Sequence, residues 1–175
     1  RASTTCDDWL TKNWSTCTGG GQAANAESNG GPLAGWFLLD DLLAQTIGDL
    51  NVDTCDLGVS VLDKRDILKN KKRANDGAYE VASQLLATQV NLAVGAKGID
   101  PADCNGFDVV ALAAEANAFL DCVDFNGEGS FLPTKGPGSK DTACGDPDIL
   151  DRTEALGLAG ILDAYNNGIL CGGCD

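Results

Sequence analysis

Eight cysteines, 26 carboxylate side chains and no histidine set what chemistry this chain can do. Without imidazole, Ser-His-Asp and Cys-His nucleophilic sites are excluded, and no Gly-x-Ser-x-Gly elbow occurs. Paired carboxylates can hydrolyse glycosides, but their abundance identifies no pair, and 6% aromatics leave few platforms for stacking sugars. The chain is therefore read as noncatalytic.

The cysteines, Cys6, Cys17, Cys55, Cys104, Cys122, Cys144, Cys171 and Cys174, are even in number and run from end to end. Zinc sites combine two tight Cys or His pairs, whereas only Cys171 and Cys174 lie close here, so all eight are read as disulfide partners. On the order of a hundred pairings are open. Cys171-Gly172-Gly173-Cys174 looks like a redox dithiol, but it follows a helix rather than opening one, so it lacks the helix N-terminus that lowers a thiol pKa. It is read as an anchor for the end of the chain.

Oxygen donors cluster twice. Asp49, Asn51 and Asp53 have the alternation of an EF-hand start, but Thr54 stands where the turn glycine belongs and Ser60 where the closing acid belongs. Asp121, Asp124, Asn126 and Glu128 form the second cluster, beside Gly127 and Gly129, and are the candidate calcium ligands. No cofactor is otherwise required. Asn13-Trp14-Ser15 is a glycosylation sequon at Asn13.

The net charge of −14 argues against nucleic acid as a partner, since phosphate binding needs a basic footprint. Lys64, Arg65, Lys69, Lys71, Lys72 and Arg73 nevertheless crowd into ten positions, giving residues 64–73 a charge of +5 against −19 for the remainder. Such polarity suits association with the acidic surface of another copy. No run approaches the roughly 18 apolar residues of a membrane span, and the first residues carry no hydrophobic signal region, so a leader is expected to have been removed.

The elements that must position these residues read as mainly α: a small disulfide-stapled helical bundle with an irregular N-terminal arm and long loops. Residues 1–35, punctuated by Gly19-Gly20-Gly21 and Gly30-Gly31-Pro32, form the arm, and 36–175 the helical domain. Helices are expected over 36–47, 62–70, 75–94, 107–120 and 149–165, with a loop or brief hairpin over 50–61. Residues 126–147 form a long Gly/Pro loop flanked by Cys122 and Cys144.

Two motifs carry a resemblance. Val81-Ala82-Ser83-Gln84-Leu85-Leu86-Ala87-Thr88-Gln89-Val90-Asn91-Leu92-Ala93-Val94-Gly95-Ala96 is followed some seventy residues later by Leu162-Asp163-Ala164-Tyr165-Asn166-Asn167-Gly168. With this order and spacing, residues 57–171 resemble a helical module that recurs in secreted bacterial surface proteins. That module's N-terminal Gly-Tyr-Trp-Lys-Asn-His segment is absent; Trp9, Lys12, Asn13 and Trp14 are read as its remnant. The resemblance implies an extracellular or cell-surface protein and brings no catalytic residues.

The functional expectation is a secreted structural subunit of the bacterial surface that self-assembles into a filament or layer. Trp9 and Trp14 on the arm, with Lys64, Arg65, Lys71, Lys72 and Arg73, are the expected self-association residues. The competing expectation is an adhesin or calcium-dependent module that binds surface glycans through Trp9, Trp14 and Trp36.

Overall fold

A computed structural model describes residues 45–93 and 98–171. These form a hairpin, four α-helices and one 3-10 turn: β1 (Gln45–Ile47), β2 (Leu50–Val52), α1 (Cys55–Leu62), α2 (Gly77–Ala93), the 3-10 turn (Pro101–Cys104), α3 (Val109–Cys122) and α4 (Asp151–Asn166). The described part is mainly helical and disulfide-stapled, as expected. The arm, with Trp9, Asn13, Trp14, Cys6 and Cys17, lies outside the described residues, as do Trp36, Cys174 and the side chain of Cys55.

Helix α2 is the axis of the bundle. Val81, Ala82, Leu85, Leu86 and Val90 are buried, and so are Ser83, Thr88 and Asn91, so the helix is enclosed on most sides. It packs on α4, α1, α3 and β1. Gly77 permits the close start of the α2–α4 contact, because a Cβ there would lie 3.2 Å from that of Ala155. Leu120, Phe125, Leu132 and Leu162 complete the same core. A second cluster gathers Cys104, Val109, Tyr165 and Cys171.

Three expectations need correction. Residues 45–47, read as the end of a helix over 36–47, are a strand paired antiparallel with β2 in the register Gln45↔Val52, Thr46↔Asn51, Ile47↔Leu50. Gly48 turns the hairpin at φ +58°, and its N–H donates to Asn117 Oδ1 at 3.0 Å while Asp49 N donates to Phe125 O at 2.8 Å. Tertiary hydrogen bonds to the end of α3 thus override the helical propensity of an apolar run.

The hairpin foreseen within 50–61 ends at Val52, and α1 takes over. Thr54 caps it, its Oγ1 accepting from Leu57 N, so the residue that spoils the EF-hand pattern starts a helix instead.

The basic helix over 62–70 is absent. Lys64 and Asn70 both adopt left-handed backbone, at φ 54° and 52°, and Arg65 pairs antiparallel with Lys72 in an isolated bridge. As a helix, the segment would place Arg65 near Lys69 and Lys69 near Arg73, like charges one turn apart. As a tight turn it brings each of four cations to a carboxylate.

Candidate functional site

Among the described residues three aspartates are buried, Asp66, Asp76 and Asp151, and each fastens part of the long segment between α3 and α4. An ionised carboxylate has lone pairs for about four donors, and a buried one is tolerated only when they are filled. Asp66 Oδ1 accepts from Leu68 N and Lys69 N at 3.1 and 3.0 Å, and Oδ2 from Arg73 Nη2 and Gly129 N at 3.0 and 3.1 Å. Burial pushes its carboxyl up, but the hydrogen bonds from Lys69 N, Arg73, Gly129 N and Leu68 N outweigh burial and hold it at about 2.

Asp76, immediately before α2, accepts from Ala78 N and Leu132 N through Oδ1, and from Ser130 Oγ and Phe131 N through Oδ2, at 2.8 to 3.1 Å. Asp151 opens α4 and accepts from Ala143 N and Cys144 N, both at 3.1 Å. Tyr79 adds its hydroxyl to Gly127 O at 2.8 Å and its ring to Phe125 and Phe131, with centroids 5.1 and 6.0 Å away. Burial, with Asp66 nearby, pushes the Tyr79 phenol up.

Disulfides close the same region. Cys122 is bonded to Cys144, across the loop they flank, and Cys104 to Cys171. Chain-entropy reasoning gives each about 3–4 kcal/mol for loops of this size, the mechanism being model-dependent. Bonds of this kind persist in an oxidising environment, the setting of extracellular proteins. Among the described residues no helix is long and apolar enough to cross a membrane.

The two motifs that carried the resemblance meet each other. Asn166 Nδ2 donates to Gln84 O and Gln84 Oε1 at 3.0 and 2.9 Å, while Asn166 Oδ1 accepts from Thr88 Oγ1 and Asn91 Nδ2 at 3.1 and 3.0 Å. Gln84 Nε2 in turn donates to Asp163 Oδ1 at 2.9 Å. Both ends of the Asn166 amide are therefore satisfied within the α2–α4 interface. Tyr165, its phenol pushed up to about 12 by burial, covers Gly98. These side chains build the interface between α2 and α4.

The basic residues are largely spent internally. Lys64 pairs with Glu80, Arg65 and Lys72 with Asp63, and Arg73 with Asp66. Burial raises the Asp63 carboxyl, and hydrogen bonds from Lys72 and Arg65 more than reverse it. Lys69 and Lys71 are exposed and make no ion pair among the described residues.

The calcium candidates sit at the end of α3. Asp121, Asp124, Asn126 and Glu128 are all exposed, Asp124 is left-handed at φ 54°, and Asn126 Oδ1 accepts from Glu128 N at 2.9 Å. That is turn chemistry. Among the described residues no three Asp, Glu or Cys side chains gather as metal ligands.

The three buried aspartates were not among the sequence candidates. Asp76 and Asp151 stand at helix starts, a position that announces capping, but nothing local reveals their loop partners. Comparison with known protein families, curated proteins and solved structures finds no match to this chain.

Proposed function

We propose that this chain is a secreted, noncatalytic structural subunit of a bacterial surface, assembling with its own copies into an extracellular filament or layer. The observation that carries the reading is the use of its buried chemistry. Asp66, Asp76 and Asp151 are occupied by backbone amides and side-chain donors, and their product is a rigid loop rather than a pair of carboxylates open to substrate. A catalytic acid and base need access to a reacting atom. These have none.

The arm, with Trp9 and Trp14, supplies the contact to the neighbouring molecule in this reading, since burying those rings removes large apolar areas from water. A heterologous contact of that kind grows an open filament when its rotation does not close. Among the basic residues Lys69 and Lys71 are free to face an acidic neighbour, while Lys64, Arg65, Lys72 and Arg73 help hold their own turn. Calcium at Asp121, Asp124, Asn126 and Glu128 remains a proposal for calorimetry on chelated protein, with heat at millimolar calcium as the supporting result.

Electron microscopy of native material, of protein lacking residues 1–35 and of Lys71→Glu tests the assembly. Regular polymers are expected from the native chain, none from the truncated one, and fewer from Lys71→Glu at low salt. Truncated protein that polymerises as well as the full chain refutes the arm mechanism, and native material that stays monodisperse refutes the subunit reading.

A further inference from the structure

A cavity of about 280 Å³ opens between the basic turn, the start of α2 and the loop after Gly129, with Lys72, Arg73, Asn75, Asp76, Ser130 and Thr134 in its wall. Its lining is less acidic than the chain as a whole. The net charge is −14, yet two cations line this concavity, and its single carboxylate, Asp76, is already shared among four donors.

Each cation has a carboxylate, Lys72 at Asp63 and Arg73 at Asp66, but two guanidinium nitrogens nearby lack a hydrogen bond. Arg73 Nη2 donates to Asp66, but its Nε is buried without a hydrogen-bond partner. Behind the wall, Arg152 Nη2 donates to Asn75 O at 3.3 Å, and its Nε is likewise buried and unpartnered. Lys72 is half exposed and shares Asp63 with Arg65, so its ammonium can swing to a ligand while Asp63 keeps a cation. Thr134 and Asn75 also line the cavity, residues whose side chains can exchange hydrogen bonds with sugar hydroxyls. Ser130 Oγ donates to Asp76 and retains lone pairs for a hydroxyl donor. Pro133 supplies an apolar edge.

We propose that this cavity binds an acidic sugar, its carboxylate or sulfate meeting Lys72 against the Arg73 wall and its hydroxyls meeting Asn75, Ser130 and Thr134. A single sugar binds weakly, because an exposed ion pair contributes little and the acidic remainder of the chain repels anions. A polysaccharide carrying many such groups binds an array of subunits far more tightly through effective concentration. The site depends on neither the arm nor polymerisation, so it stands or falls separately from the assembly.

The test is a ¹H–¹⁵N NMR titration of the full oxidised chain with sodium glucuronate, glucose and inorganic sulfate. Saturable shifts at the Asn75 and Thr134 amides are expected with glucuronate and not with glucose. Lys72→Gln should weaken glucuronate binding about twofold to fivefold, the upper part of the range for loss of one exposed ion pair. Thr134→Val should weaken glucuronate while sparing sulfate. Oligoglucuronate in place of the monosaccharide distinguishes a polymer ligand from a free acid by its tighter binding.

No shift with glucuronate overturns the proposal, as does equal response to glucose or indifference to Lys72→Gln. Sulfate binding as strongly as glucuronate, unaffected by Thr134→Val, reduces the cavity to a bare anion site and overturns the sugar. Matching unfolding curves for the variants and the parent confirm that any lost shift is lost binding.

Discussion

Asp66→Asn is the sharpest test of the loop-pinning mechanism. The amide can still accept from Leu68 N and Lys69 N through its oxygen, but its NH₂ then faces Gly129 N–H and the Arg73 guanidinium, donor against donor. Removing one member of a buried ion pair and leaving the other uncompensated costs about 3–5 kcal/mol. With Arg73 retaining some solvent contact, about 3 kcal/mol is expected, a large share of the roughly 5–15 kcal/mol that stabilises a domain. Acid should reveal the same group. Its folded pKa, about 2, lies below the ordinary carboxyl value. The stabilisation from Asp66 is therefore complete above about pH 4, declines as pH falls, and is gone below about pH 2. From that shift it amounts to about 2 kcal/mol. Urea unfolding followed by circular dichroism at pH 7, 4 and 2.5, on parent and variant, isolates this contribution, because every other carboxylate titrates in both. A loss under about 1 kcal/mol at pH 7, or two pH profiles that run parallel from pH 4 to 2.5, would refute the argument.

Gly98 sits at φ 125°, where a Cβ would approach the Tyr165 ring to 2.9 Å, so Gly98→Ala should cost about 2–3 kcal/mol and lower the melting temperature. Asn166→Leu leaves Gln84, Thr88 and Asn91 without their shared partner and should cost about 2–4 kcal/mol by denaturant titration, with faster hydrogen exchange along α2. If all eight cysteines are oxidised, reduction raises the intact mass by eight hydrogens; free thiol or bound zinc in the native protein contradicts that. Replacing Cys122 and Cys144 together by serine should cost about 2–4 kcal/mol while leaving the other disulfide formed.

Legibility in the sequence followed length and locality. The three long helices stand at 77–93, 109–122 and 151–166, within two residues at each end of where periodicity and stop signals put them. Strands of three residues have no room for a period, so β1 was absorbed into the apolar run before it. Gly58 read as a turn and hid α1, although Thr54 three residues before Leu57 was a usable cap signal. The basic turn depends on Gly129, which is 63 residues from the Asp66 carboxylate that receives its amide. No window along the chain contains that bond. The same limit hid the candidate sites: Asn166 and Gln84 were legible as motif letters, but their meeting across 82 residues was not.

The Cys104–Cys171 bond encloses the Cys122–Cys144 bond, so one covalent ring sits inside another. Under tension applied at Gln45 and Cys171, the outer bond carries the load past α3, the pinned loop and α4. Counting the two described bonds alone, the stretch from Gln45 to Cys104 can pay out roughly 200 Å when fully drawn, against roughly 350 Å for the same span with only the inner bond in place. Among the described residues, the span from Cys104 to Cys171 therefore cannot lengthen under load until its sulfur is reduced, whereas the span before it can.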